Sequence, residues 1–319
     1  MRGYLLIACA SLCYGASATL GKAVFRGMLA AGASAQIGPL ALAQARSTIS
    51  LLLLVPALLV MRRGRGLSLP VPDVLRCLLV GSLGLAASNF CYYYSIEKTT
   101  VATAIIVQYT APVWVLISML VRDSQWPSLK RVISVSLAVI GCAVSIGIIR
   151  GTAGFPLLHL VGLKMDPLGV GAALAAAFAF SFYSISGQSL VNRHDRWNVL
   201  VYVMLGAAGL WMIVNPPWKI VAAHYSSRQW LFLFVFALVS MLLPLSLYFA
   251  GLQYLDATRA IVTCCLEPVF AILFAATFVH ESIGALQIFG IALVLTATVI
   301  VQLPEAGGIT VPSEIAPVD

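Results

Sequence analysis

Three ionisable side chains stand where the chain is otherwise apolar: Lys22, Arg46 and Glu267. Charge at membrane depth costs a few kcal/mol on insertion scales, so such groups face a cavity or pair with each other. Glu267 sits about ten residues into its apolar run, or roughly 15 Å deep at 1.5 Å per residue. Arg46 lies in the second run, and Lys22 lies close enough to the end of the first to snorkel. Glu267 is followed directly by Pro268. A proline has no N–H and clashes with the carbonyl four residues back, here that of Cys264. In a bilayer the freed carbonyl becomes an acceptor for a polar group. A carboxylate beside a proline therefore predicts a polar notch near the bilayer centre. Pro112 stands in the same relation to Gln108. The bland alternative is a static kink, with Glu267 locked to Arg46 as a structural pair.

Other polar and aromatic residues lie at similar depths. They include Ser88, Asn89 and Tyr92 in the third run, Gln108, Tyr109 and Trp114 in the fourth, and Tyr183, Ser184, Ser186 and Gln188 in the sixth. The eighth carries Ser246 and Tyr248. Tyr109 and Trp114 are too deep for an interfacial aromatic belt. The candidate substrate-binding set is Arg46, Tyr92, Gln108, Tyr109, Trp114, Tyr248 and Glu267. Pro112 and Pro268 are candidate gating or kink positions, and Lys22 is a possible charge partner. A zwitterion needs a cation, an acceptor and a side-chain pocket, and this set can supply all three. The small-residue stretch CASLCYGASATLG in the first run reads as close helix packing.

The elements that must carry these residues follow from composition. The 319 residues are 61% hydrophobic and 9% charged, with mean hydropathy +0.99. Soluble domains carry about 25% charge, so the chain is an integral membrane protein, with runs long enough for helices rather than barrel strands. Ten spans are predicted, at 3–25, 38–61, 74–94, 99–121, 131–149, 168–190, 197–215, 229–251, 257–279 and 283–303. The tail 304–319, with its prolines and glycines, reads as disordered. The N-terminal run extends past Cys9 and reads as the first span rather than a cleaved signal.

The net charge of +8 does not mark a nucleic-acid partner, because the basic residues cluster at span ends. Ten spans put both termini on one side. Segments on that side hold eleven Lys and Arg, against six on the other, so the termini are expected in the cytoplasm. The seven cysteines show neither CxxC nor Cys/His spacing, so no metal site is expected. No cofactor motif is present, and without GxxxxGK[ST] no ATP-driven pump is expected.

The halves resemble each other. A shift of 156 residues lays Tyr92 on Tyr248, Pro112 on Pro268 and Leu137 on Leu293; a shift of 166 lays Gly3 on Gly169. Five spans per half would invert the second half, the arrangement of many secondary carriers. The expected fold is thus an all-α membrane protein of ten helices in two inverted five-helix repeats, 1–150 and 151–303. An intramembrane enzyme would need paired acids or a Ser/His set at depth, and the four histidines fall in loops. A channel would need a filter or a ring of charges.

The segments YGASATLGKAVFRG, APVWVLI, LEPVFAILF, HES and LQIFGIALVLTATVIV, with Arg46, resemble the EamA-type carriers of the drug/metabolite transporter superfamily. The resemblance covers about residues 3–303. It departs at VRDSQWPS, where the family often has a glycine–glutamate pair, so Glu281 lacks an acidic counterpart. It implies a ten-helix carrier of the bacterial cytoplasmic membrane, exporting small metabolites through a central cavity. The aromatic amino acid exporter branch is the nearest in character, which implies aromatic and other neutral amino acids as substrates. Multidrug, nucleoside or sugar transport on the same fold is the alternative.

Overall fold

The structure is a computed structural model that describes residues 1–25, 37–61, 68–99, 101–123, 127–145, 149–150, 159–160, 166–278 and 284–303. The tail 304–319, Gln125 and Glu281 lie outside the described residues, as does the side chain of Lys22.

The long apolar runs form helices because a bilayer leaves backbone groups no partner but each other. Helix α1 (Arg2–Phe25) and α2 (Pro39–Met61) come first. Next, α3 (Val71–Leu79) runs through a π-helical segment, Val80–Ala86, into α4 (Ala87–Lys98). Helices α5 (Val101–Gln108) and α6 (Ala111–Asp123) share one span, and α7 (Leu129–Ser145) closes the first half. Strands β1 (Ile149–Arg150) and β2 (His159–Leu160) pair antiparallel. The second half opens with α8 (Pro167–Val191) and α9 (Arg196–Val214), followed by the short α10 (Pro217–Ala222). Helix α11 (Ser227–Ala237) passes through a second π-helical segment, Leu238–Leu242, into α12 (Leu243–Leu252). Then α13 (Ala257–Cys264) and α14 (Glu267–Phe278) share a span, and α15 (Ala285–Gln302) ends the described chain.

Eight helical stretches among the described residues are long and apolar enough to cross a membrane. Two further helices, α1 and the 17-residue α7, stand where the first and fifth spans were expected. One detail differs from the sequence expectation: Ile149, expected at the end of the fifth span, lies with Arg150 in β1, paired with β2. Among the described residues the regular structure is therefore helical but for this short two-stranded ribbon.

Polar caps fix several helix starts. Asp166 accepts from the Leu168 N–H at 2.9 Å, Asp195 from Trp197 at 2.8 Å and Asp256 from Arg259 at 2.9 Å. Each satisfies a backbone donor that the first turn leaves open. The start of α1 meets the end of α15, with the Tyr4 hydroxyl donating to the Val301 carbonyl at 3.3 Å. On this same face Arg131 at the start of α7 pairs with Asp256 at the start of α13 (3.3 Å), and Arg259 pairs with the same carboxylate (3.3 Å). His194 meets Asp73 there at 2.8 Å.

Contacts recur between the halves with the shifts seen in the sequence. A Cβ on Gly3 would stand 2.8 Å from Leu255, and one on Gly169 would overlap Thr99; Gly169 is 166 residues beyond Gly3, and Leu255 is 156 beyond Thr99. A Cβ on Gly15 would lie 3.0 Å from the Glu267 carbonyl. Its counterpart Ser181 donates to the Ala111 carbonyl at 2.8 Å. Both π-helical segments end at matching positions, Ala86 and Leu242. So do both interrupted helices, which pause at Tyr109–Thr110 and at Cys265–Leu266.

Candidate functional site

The interruptions are full breaks rather than kinks within continuous helices. Helix α13 ends with Cys265 N–H reaching Val262 at 3.2 Å and Leu266 N–H reaching Thr263 at 3.1 Å, the tight closure of a last turn. Glu267 and Pro268 are then the first two residues of α14. A proline in a first helical turn loses nothing, because that N–H has no partner within its own helix. Pro112 takes the same place in α6. Both prolines thus stand in the first turn of a half-helix. Glu267 accordingly sits at a helix amino end, where the backbone dipole favours an anion.

Around Glu267 the structure gathers side chains from several helices. The Tyr109 hydroxyl, from the other break, hydrogen-bonds its carboxyl, and Arg46 of α2 lies within electrostatic range. Tyr14 of α1 lies within range of Glu267, Arg46 and Cys264. Tyr92 of α4 lies within range of Tyr109. Arg46 is 9% exposed, and its Nη2 donates to Oδ1 of Asn89. Asn89 in turn donates from Nδ2 to the Leu85 carbonyl at 2.7 Å. Glu267 keeps partial exposure, while Pro268 beside it is buried. The Arg46 guanidinium and the Glu267 carboxyl thus lie near each other, with Tyr109 and Tyr14 close by, at the point where two helices break.

The predicted set divides. Arg46, Tyr92, Tyr109 and Glu267 come together, with Pro112 and Pro268 shaping the two breaks. Gln108 ends α5, half-buried beside the first break. Trp114 is placed elsewhere: it packs edge-on against Phe178 of α8, ring centroids 5.9 Å apart, beside Ala177 and Ala257. Tyr248 is 1% exposed. It stacks on Tyr183 at 5.6 Å, and its hydroxyl donates to Ser184 Oγ at 2.7 Å. It forms a layer behind Tyr14 rather than a wall of the polar volume. Tyr14 is the residue that the sequence reading passed over, being embedded in a run of small residues that read as packing only. Among the described residues no group of three or more His, Cys, Asp or Glu is placed to hold a metal.

The sequence profile of the EamA-like transporter family matches residues 1–147 and again 167–303. An uncharacterized transporter of Archaeoglobus fulgidus is 24% identical over 223 residues, 68% of this chain and 74% of its own length. The threonine/homoserine exporter RhtA of Salmonella typhimurium is 25% identical over 224 residues, 69% of each chain. A crystal structure superimposes with TM-score 0.70 at 18% identity, covering 94% of this chain and 97% of that one; it shows the fold alone.

Proposed function

Because the chain belongs to the EamA-like transporter family, and is therefore a multi-pass membrane transporter, we propose that it is a secondary carrier that exports neutral amino acids, aromatic ones included. The observation that carries this reading is the convergence of Arg46, Glu267, Tyr109 and Tyr14 at the two helix breaks. A zwitterion fits such a site. Its carboxylate pairs with the Arg46 guanidinium, which offers a planar fork of donors. Its ammonium is accepted by Glu267, whose position at the amino end of α14 leaves the carboxylate facing the break. Its side chain lies against Tyr14, Tyr92 and Tyr109, where aromatic contact adds about 0.5–1.5 kcal/mol beyond burial. Discrimination of that size is modest, so selectivity is broad. Trp114 and Tyr248 stand outside the polar cluster, so of the four aromatic residues in the predicted set two, Tyr92 and Tyr109, remain as walls, joined by Tyr14. The exporter name of RhtA supports amino acids as the class.

Movement follows from the same breaks. Two half-helices that start at Ala111 and Glu267 can tilt against α5 and α13 without breaking internal hydrogen bonds. The recurring contacts between halves, and the family profile matching twice, support two five-helix repeats of opposite orientation rocking around the site. The charge distribution supports cytoplasmic termini in a bacterial inner membrane. Among the described residues no second carboxylate joins Glu267 in the cluster to divide acid and base roles, which supports a carrier over an enzyme.

The test is transport in proteoliposomes. A labelled aromatic amino acid is loaded, and counterflow is measured against a panel of amino acids, nucleosides, sugars and cationic drugs, with and without a pH gradient. Neutral amino acids should compete best. Strong competition by the other classes, with none from amino acids, would overturn the substrate assignment and leave a drug or metabolite carrier of the same fold. Flux without counterflow would mark a channel.

A further inference from the structure

Arg46 is held on a long side chain with four rotatable bonds, yet an anchor for a carboxylate must present its fork in one direction. Asn89 is one group that sets that direction. Its amide cannot turn over, because Nδ2 is committed to the Leu85 carbonyl at 2.7 Å. That bond assigns the two ends of the amide and leaves only the oxygen, Oδ1, facing α2. Oδ1 accepts from one terminal nitrogen of Arg46. Arg46 is only 9% exposed and Asn89 is half-buried, so water competes little for this hydrogen bond and leaving it unmade is costly.

The chemistry of the partner also matters. A carboxylate at position 89 would hold the guanidinium by neutralising it. An amide oxygen satisfies one N–H and leaves the charge of that bond uncancelled. An asparagine therefore orients the cation while keeping its attraction for an incoming anion. Arg46 and Asn89 come from helices α2 and α4 of the first half, whereas Glu267 comes from the second. The Asn89 contact thus keeps the anion anchor with its own half when the halves move.

We propose that Asn89 is a positioning residue that sets the recognition of the substrate carboxylate through Arg46; this rests on the amino-acid reading above. The experiment is competition for transport in proteoliposomes by phenylalanine and by phenethylamine, which has the same ring and ammonium but no carboxylate. Wild-type protein should favour phenylalanine. Asn89→Leu releases Arg46, and Asn89→Asp captures it as an ion pair. In both, the potency ratio of phenylalanine to phenethylamine should fall about tenfold, the worth of one charge-assisted hydrogen bond, while phenethylamine itself competes as before. A residue that merely supports the fold would weaken both ligands equally and leave the ratio unchanged, which overturns the proposal. If Asn89→Leu does not fold, Asn89→Asp, which matches the amide in size, decides alone. A wild-type protein that favours phenethylamine, or binds neither, overturns the amino-acid reading and this inference with it. A wild-type preference for phenylalanine that persists in the variants overturns the positioning role alone.

Discussion

Asp256 does two jobs that a single substitution can separate. One carboxylate oxygen caps α13 through the Arg259 N–H at 2.9 Å, and the other pairs with Arg131 and Arg259 at 3.3 Å each. Asparagine caps a helix about as well as aspartate, so Asp256→Asn removes the charge and keeps the cap. At 3.3 Å and an effective dielectric of about 20, each pair is worth about 5 kcal/mol of gross attraction. The side chains of Arg131 and Asp256 retain 16% and 29% exposure, so solvation and side-chain entropy cancel most of it. A coupling of about 1 kcal/mol should remain, at the top of the range for exposed pairs. The assay is a double-mutant cycle of Asp256→Asn with Arg131→Gln, read by unfolding in detergent at low salt and repeated at about 1 M salt, where the Debye length is about 3 Å and the coupling should shrink. A coupling within about 0.3–0.5 kcal/mol of zero at low salt is indistinguishable from additivity. It would refute the view that charge ties α7 of the first half to α13 of the second.

Glu267→Gln should leave expression intact and impair transport; full transport by that variant would reduce Glu267 to a structural residue. Tyr248→Phe removes the hydroxyl from Ser184 and should cost about 1 kcal/mol of stability with little change in substrate affinity, whereas Tyr109→Phe should weaken affinity, as competition assays would report. Gly81→Ala puts a methyl group into the Val203 carbonyl of α9, and the strain should lower stability by about 1–3 kcal/mol, measured as a shifted unfolding midpoint. Single cysteines near Arg63 should resist impermeant labelling from outside intact cells, and those near Lys219 should accept it.

Eight of the ten expected spans were legible among the described residues, because a bilayer imposes one requirement, an unbroken apolar run of about 20 residues. Depth was legible for the same reason: counting from the run's end put Glu267 near the middle. The direction a side chain faces was not. A helix that is apolar all round gives no stripe to read. Trp114 and Tyr248 have suitable depth but face α8 and the tyrosine layer instead of Arg46. Tyr14 lay hidden for the converse reason, since the small residues beside it announce packing and Gly15 does pack, against the Glu267 carbonyl. The prolines announced a disturbance but not its form, because one residue type serves both to kink a helix and to begin one.

The wide turn at Val80–Ala86 sets which way the rest of the third span faces. A π-helical segment accommodates about one residue more than the α-helix it interrupts, and one residue is about 100° of rotation at 3.6 per turn. Tightening the segment to a regular α-helix with every residue kept would leave ample length to cross the bilayer, and hydropathy would register no loss. Asn89 would nevertheless swing about a quarter turn away from Arg46. The same holds for Leu238–Leu242 and the Tyr248 that follows it. In these two helices the width of one turn acts as an angular setting, so a change harmless to membrane insertion would still dismantle the interior.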